Sequence, residues 1–211
     1  MHIPEEPDPM ATPSRAVSNW NVANQLTALR ILLVPVFAVL LLTDGGSNTG
    51  FRWAAFAVFV LASLTDRIDG DLARSRDLVT DLGKVMDPIA DKALVGMALV
   101  GLSMIGELWW WVTVVILVRE LGITLLRFAV IRHGVMPASR GGKAKTVLQI
   151  VAIAMFVMPL PEWLHVVAMI VMLAAVAVTV VTGIDYCAKA VRLRRASLRG
   201  RPGPSDDARG G

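Results

Sequence analysis

Residues 56–91 read FAVFVLASLTDRIDGDLARSRDLVTDLGKVMDPIAD. One apolar run closes on Asp66 and Asp69, and the next opens on Asp87 and Asp91. An ionised carboxylate beside hydrocarbon costs about 2.5–3.5 kcal/mol even on lenient insertion scales, so this grouping calls for compensation. A bound cation is the expected source.

The spacing predicts two helices. Asp66, Asp69, Gly70 and Ala73 fall at i, i+3, i+4 and i+7 on the first, and Gly83, Asp87 and Asp91 at i, i+4 and i+8 on the second. Ser75, Arg76 and Asp77 break the apolar pattern between them, a connection short enough to make the helices antiparallel neighbours, with Thr80 or Asp81 capping the second. Two pairs of carboxylates can then face each other. Gly70, Ala73 and Gly83 take bulk away from the same faces, which suits either close approach of a ligand or helix packing alone.

Working outward, further apolar runs cover Leu26 to Leu42, Phe51 to Thr65, Val85 to Ile105, Leu108 to Ile131, Val147 to Met158 and Trp163 to Val191 in a chain of 211 residues that is 55% hydrophobic. At about 20 residues per crossing these make about six spans, an all-α integral membrane bundle of six transmembrane helices. The domain is expected over 20–192. The Pro- and Ser-rich segment 1–19 and the basic tail 193–211 are expected to be disordered. The acidic start, with Glu5, Glu6 and Asp8, lacks the basic and apolar regions of a secretory signal.

Lys and Arg fix the expected orientation. They gather around Arg67 to Lys84, Arg132 to Lys145 and Lys189 to Arg201, and are nearly lacking around Asp44, Glu107 and Glu162. The positive-inside rule puts both termini and the aspartates at the cytoplasmic face of a multi-pass, bacterial-type inner-membrane protein. The formal net charge of +4 does not signal nucleic acid, because the cations flank apolar runs and suit anionic lipid headgroups. With one cysteine, Cys187, no intramolecular disulfide or multi-cysteine metal site can form. Trp109, Trp110 and Trp111 read as an interfacial aromatic belt, and His133 and His165 as polar groups at span ends.

The aspartate cluster offers oxygen donors only, which favours Mg²⁺ or Mn²⁺ over zinc. Four carboxylates exceed what one ion needs, and a pair of divalent ions suits phosphoryl chemistry. Asp71, Asp77 and Asp81 fall off the stripes and read as solvated. At the entrance of the first span, Thr27 can donate to a phosphate or base and Arg30 can neutralise a diphosphate; a hydroxyl bonded to its own helix and a topology-setting charge also account for them, and for Thr27 that reading is slightly ahead.

Asp66-Arg67-Ile68-Asp69-Gly70-Asp71-Leu72-Ala73-Arg74, followed by Gly83, Asp87 and Asp91, resembles the signature of the CDP-alcohol phosphatidyltransferase family at every fixed position. The resemblance implies six membrane helices, a homodimer and a cytoplasm-facing active-site cavity where a CDP-linked lipid meets an alcohol. It assigns metal binding to Asp66, Asp69, Asp87 and Asp91, proton abstraction to Asp91, and the nucleotide pocket to Gly70, Ala73, Arg74 and Gly83.

The segment Pro137 to Thr146 concentrates Arg140, Lys143 and Lys145 on flexible backbone and suits a phosphate dianion. With Asn24 to Arg30 and Arg119-Glu120-Leu121 it resembles the bacterial phosphatidylglycerophosphate synthase branch of that family, which implies CDP-diacylglycerol as donor and glycerol 3-phosphate as acceptor. Juxtamembrane topology also accounts for Lys143 and Lys145. Arg119 and Arg127, inside the fourth run, are candidates for the acceptor phosphate or for pairing with Glu120 or an aspartate of the cluster. Inositol phosphate and phosphatidylglycerol are alternative acceptors. An ion-coupled transporter would also use intramembrane carboxylates, but it supplies no reason for the intervals of Gly70, Ala73, Arg74 and Gly83.

Overall fold

The computed structural model describes the backbone of residues 22–75, 81–130 and 140–199, and side chains within 24–65, at 86, and within 89–126 and 145–192. Six α-helices follow in order: α1 (Val22–Leu42), α2 (Thr49–Ser75), α3 (Asp81–Met104), α4 (Trp110–Val130), α5 (Arg140–Val157) and α6 (Glu162–Arg199). No strand occurs among the described residues. Segment 1–19 and the end of the tail from 200 lie outside them, as does the break at 76–80 with its capping Thr80. The last helix runs to Arg199, past the expected domain edge at 192, because Arg, Leu and Ala there are good helix formers.

The connection Thr43–Gly46 reverses the chain through left-handed backbone at Asp44 (φ 53°), Gly45 (φ 61°) and Gly46 (φ 76°). Asp tolerates this conformation better than most side chains do, and glycine adopts it freely. Gly46 is also buried, and a Cβ there would lie 2.7 Å from Ile105 Cδ1. The amides of Gly50 and Phe51 donate to Asn48 Oδ1 at 3.0 and 3.2 Å, so Asn48 caps α2.

The helices pack around Phe37 and Leu41 of α1, Phe59 of α2, Leu99 and Leu102 of α3, Ile116 of α4, Ile153 and Phe156 of α5 and Met172 of α6. α1 lies against α2 and α3, α5 against α6, and α4 reaches α6. Gly101 admits α1 closely, since a Cβ there would stand 2.8 Å from Leu41 Cδ2. The buried hydroxyls of Ser103 and Thr113 satisfy each other at 2.7 Å between α3 and α4.

Large apolar side chains also cover the outside. Leu32, Val39, Val118, Leu125, Trp163, Val181 and Ile184 are each about two-thirds exposed. Asn24–Gly46 and Glu162–Arg192 are long and apolar enough to cross a membrane, while Thr49–Thr65 and Lys145–Val157 are shorter apolar helices.

At the end where α2 begins and α5 finishes, Arg52 is buried and holds three elements. Its Nε donates to the Val157 carbonyl at 3.2 Å and its Nη2 to that of Phe156 at 2.6 Å, while Nη1 pairs with Glu107. Glu107 Oε2 in turn meets His165 Nε2 at 2.8 Å. These carbonyls end α5 and have no further helical turn to accept from.

Candidate functional site

α2 is continuous through Asp66, Asp69, Gly70, Ala73 and Arg74, and α3 through Gly83, Asp87 and Asp91, so both stripes have helical register. The two helices pack against each other. Of the aspartates only Asp91 belongs to the described side chains; the others, with Gly70, Ala73, Arg74 and Gly83, are placed by backbone alone. Arg127, Arg140 and Lys143 are likewise placed by helix position, late in α4 and in the first turn of α5.

Asp91 opens onto a pocket between α3, α4 and α5. Successive turns supply its walls: Asp91, Lys92 and Val95 from α3, Glu120 from α4, and Lys145 and Gln149 from α5. Lys145 and Gln149 are i, i+4 neighbours and both are buried. The Lys145 ammonium pairs with Glu120. Sequence reasoning had singled out Asp91, Glu120 and Lys145, but not Lys92 or Gln149. The only signal for Gln149 was one polar residue, a turn beyond Lys145, in an otherwise apolar run.

Arg119 lies beside the pocket and is engaged on α6. Its Nε donates to the Thr179 carbonyl at 3.2 Å and its Nη2 to Thr182 Oγ1 at 2.9 Å, while Nη1 meets Glu120 Oε1 at 3.2 Å. Gly183 makes room for it: a Cβ there would stand 3.2 Å from Arg119 Cγ. Glu120 therefore binds two cations, one tied to α6 and one on α5.

Thr27 and Arg30 are almost wholly buried on α1, one turn apart, with Asn24 a further turn back on the same stripe. α1 packs on both aspartate-bearing helices. The site thus combines a half-buried carboxylate able to accept a proton, a buried ammonium suited to an anion, and further carboxylate positions on paired helices. All four aspartate donors are oxygens, the chemistry of hard divalent cations, so the donor set fits Mg²⁺ or Mn²⁺.

A chain whose described residues are all helical, with apolar outer faces and an acid-and-lysine pocket between α3, α4 and α5, is built as a membrane-associated enzyme of charged substrates. The CDP-alcohol phosphatidyltransferase family model matches residues 20–181. A Mycobacterium tuberculosis (strain H37Rv) protein named probable phosphatidylglycerophosphate synthase is 57% identical over 172 residues, 82% of either chain. A CDP-diacylglycerol–glycerol-3-phosphate 3-phosphatidyltransferase of Bacillus subtilis (strain 168) is 37% identical over 183 residues, 81% of this chain and 95% of that one. The enzyme of the same name from Rickettsia typhi is 36% identical over 171 residues, 79% and 94% of the two chains. The chain belongs to the CDP-alcohol phosphatidyltransferase family, as its signature residues imply. That family is membrane-associated and generally depends on divalent metal.

Proposed function

We propose that this chain transfers the phosphatidyl group of CDP-diacylglycerol to sn-glycerol 3-phosphate, giving phosphatidylglycerophosphate and CMP. The observation that carries the reading is the shared pocket of Asp91 and Lys145. A proton acceptor from the signature helix stands in it beside a buried cation suited to a phosphate.

Asp91 takes the proton of the acceptor's 1-hydroxyl as that oxygen forms a bond to the lipid-bearing phosphorus. The P–O bond to CMP breaks, and CMP carries away the electron pair. Lys145 orients the acceptor through its phosphate, with Arg140 and Lys143 from the same helix and Arg127 from α4 adding positive charge. Thr27, Arg30 and Arg74 hold the CDP-lipid, which approaches the backbone over Gly70, Ala73 and Gly83. Two divalent ions, Mg²⁺ or Mn²⁺, held by Asp66, Asp69, Asp87 and Asp91 would withdraw charge from the diphosphate and stabilise the departing CMP.

The apolar outer faces and the Lys and Arg pattern support six spans, a cytoplasm-facing cavity and cytoplasmic termini in the inner membrane of a bacterial-type cell. Residues 20–192 form the catalytic domain, and the enzyme works as a homodimer.

Protein purified in detergent with Mg²⁺ and CDP-diacylglycerol is offered glycerol 3-phosphate, inositol phosphate or phosphatidylglycerol. CMP release with glycerol 3-phosphate, and phosphatidylglycerophosphate as product, is expected. Release with another acceptor alone would reassign the substrate. Solute flux in sealed vesicles without CMP release would return the transporter reading.

A further inference from the structure

Two carboxylates and two lysines line one pocket, yet the charges are not paired at random. Lys145 pairs with Glu120, and no ion pair joins it to Asp91 among the described residues. Glu120 is itself held by Arg119, which also donates to the Thr179 carbonyl and the Thr182 hydroxyl of α6, reached across Gly183. Burial disfavours the charged form of Lys145, so the ammonium is held where a counter-charge offsets it. Without Glu120, the remaining described carboxylate on the pocket wall is Asp91.

We propose that Glu120 is a positioning residue that keeps Lys145 off Asp91, leaving the Asp91 carboxylate available to a divalent cation, and that Arg119, anchored on α6, holds Glu120 in place. Arg119 on this reading touches no substrate. It acts through Glu120, and Gly183 is the small residue that lets it lie against α6. The inference rests on the assignment of Asp91 as a metal ligand.

The test reads metal binding directly. Mn²⁺ is titrated into purified wild-type, Glu120→Gln, Lys145→Met and Glu120→Gln/Lys145→Met proteins, and free Mn²⁺ is followed by its EPR signal. Glu120→Gln should weaken Mn²⁺ binding about tenfold, about 1.4 kcal/mol. The double variant should bind within about twofold of Lys145→Met, because the ammonium that Glu120 holds away from Asp91 is then gone. Rescue by a second loss is not what a merely structural role for Glu120 produces. Unchanged Mn²⁺ binding in Glu120→Gln, or a double variant as weak as Glu120→Gln alone, overturns the proposal.

If Glu120→Gln is not recovered folded, Thr182→Val removes the hydroxyl that receives Arg119 Nη2. It should weaken Mn²⁺ binding about threefold in the presence of Lys145 and leave it unchanged in the Lys145→Met background. Equal effects in both backgrounds would refute the coupling. CMP release by the wild type is measured alongside. Its absence would count against the proposed reaction, whereas normal release with unaltered Mn²⁺ binding in Glu120→Gln would count against this inference alone.

Discussion

Asp91 and Lys145 bring opposite charges to one pocket, and their loss should show in different kinetic constants. Asp91→Asn keeps the size of the side chain but removes the proposed base, so CMP release should fall at least about 10²-fold with thermal unfolding unchanged. A rate within tenfold of wild type would take Asp91 out of the chemistry. Lys145→Ala should raise the KM for glycerol 3-phosphate about tenfold or more and leave that for CDP-diacylglycerol nearly untouched, as initial-rate kinetics will report. Asp91 was legible in the sequence because its partners in the signature lie on one helix or the next. The partner of Lys145 was not, since Glu120 is 25 positions away and a helical period says nothing about which helix comes to face it. Arg52 was hidden for the same reason. It meets Glu107 across 55 positions, and in sequence it resembles any charge near a span end.

Helices form where long apolar runs leave the backbone no partner but itself, which is why the six elements were readable. Their ends depend on local chemistry that hydropathy does not see: Asn48 starts α2, and the turn Asp44–Gly46 separates it from α1. Gly46→Ala combines left-handed backbone with a Cβ 2.7 Å from Ile105, so stability should drop by about 1–3 kcal/mol in thermal unfolding of the purified protein. Arg52→Ala should be more damaging, by about 3–5 kcal/mol, because Glu107 then loses its buried cation and the end of α5 two donors. Arg52→Lys should recover only part of this. A single ammonium cannot reach both carbonyls and the carboxylate in the planar fork that guanidinium provides.

The whole molecule should respond to metal and to sidedness. Removing divalent ions with EDTA should stop CMP release, and Mg²⁺ or Mn²⁺ should restore it; activity persisting in excess chelator would refute the metal assignment. Cys187 is the only cysteine of the chain and is exposed. It stands about 37 Å along α6 from Glu162, beyond a hydrocarbon layer of about 30 Å. A membrane-impermeant maleimide should therefore label it in inverted vesicles and not in right-side-out ones, and the reverse pattern would invert the proposed topology. The same arithmetic reaches past the cysteine. At 38 residues α6 extends about 57 Å, well over the roughly 30 Å of a hydrocarbon layer. On the proposed topology the surplus is a stiff helical mast in the cytosol. It carries the positions of Arg192, Arg194, Arg195 and Arg199 away from the bilayer surface, where a limp tail of the same composition would lie flat against it.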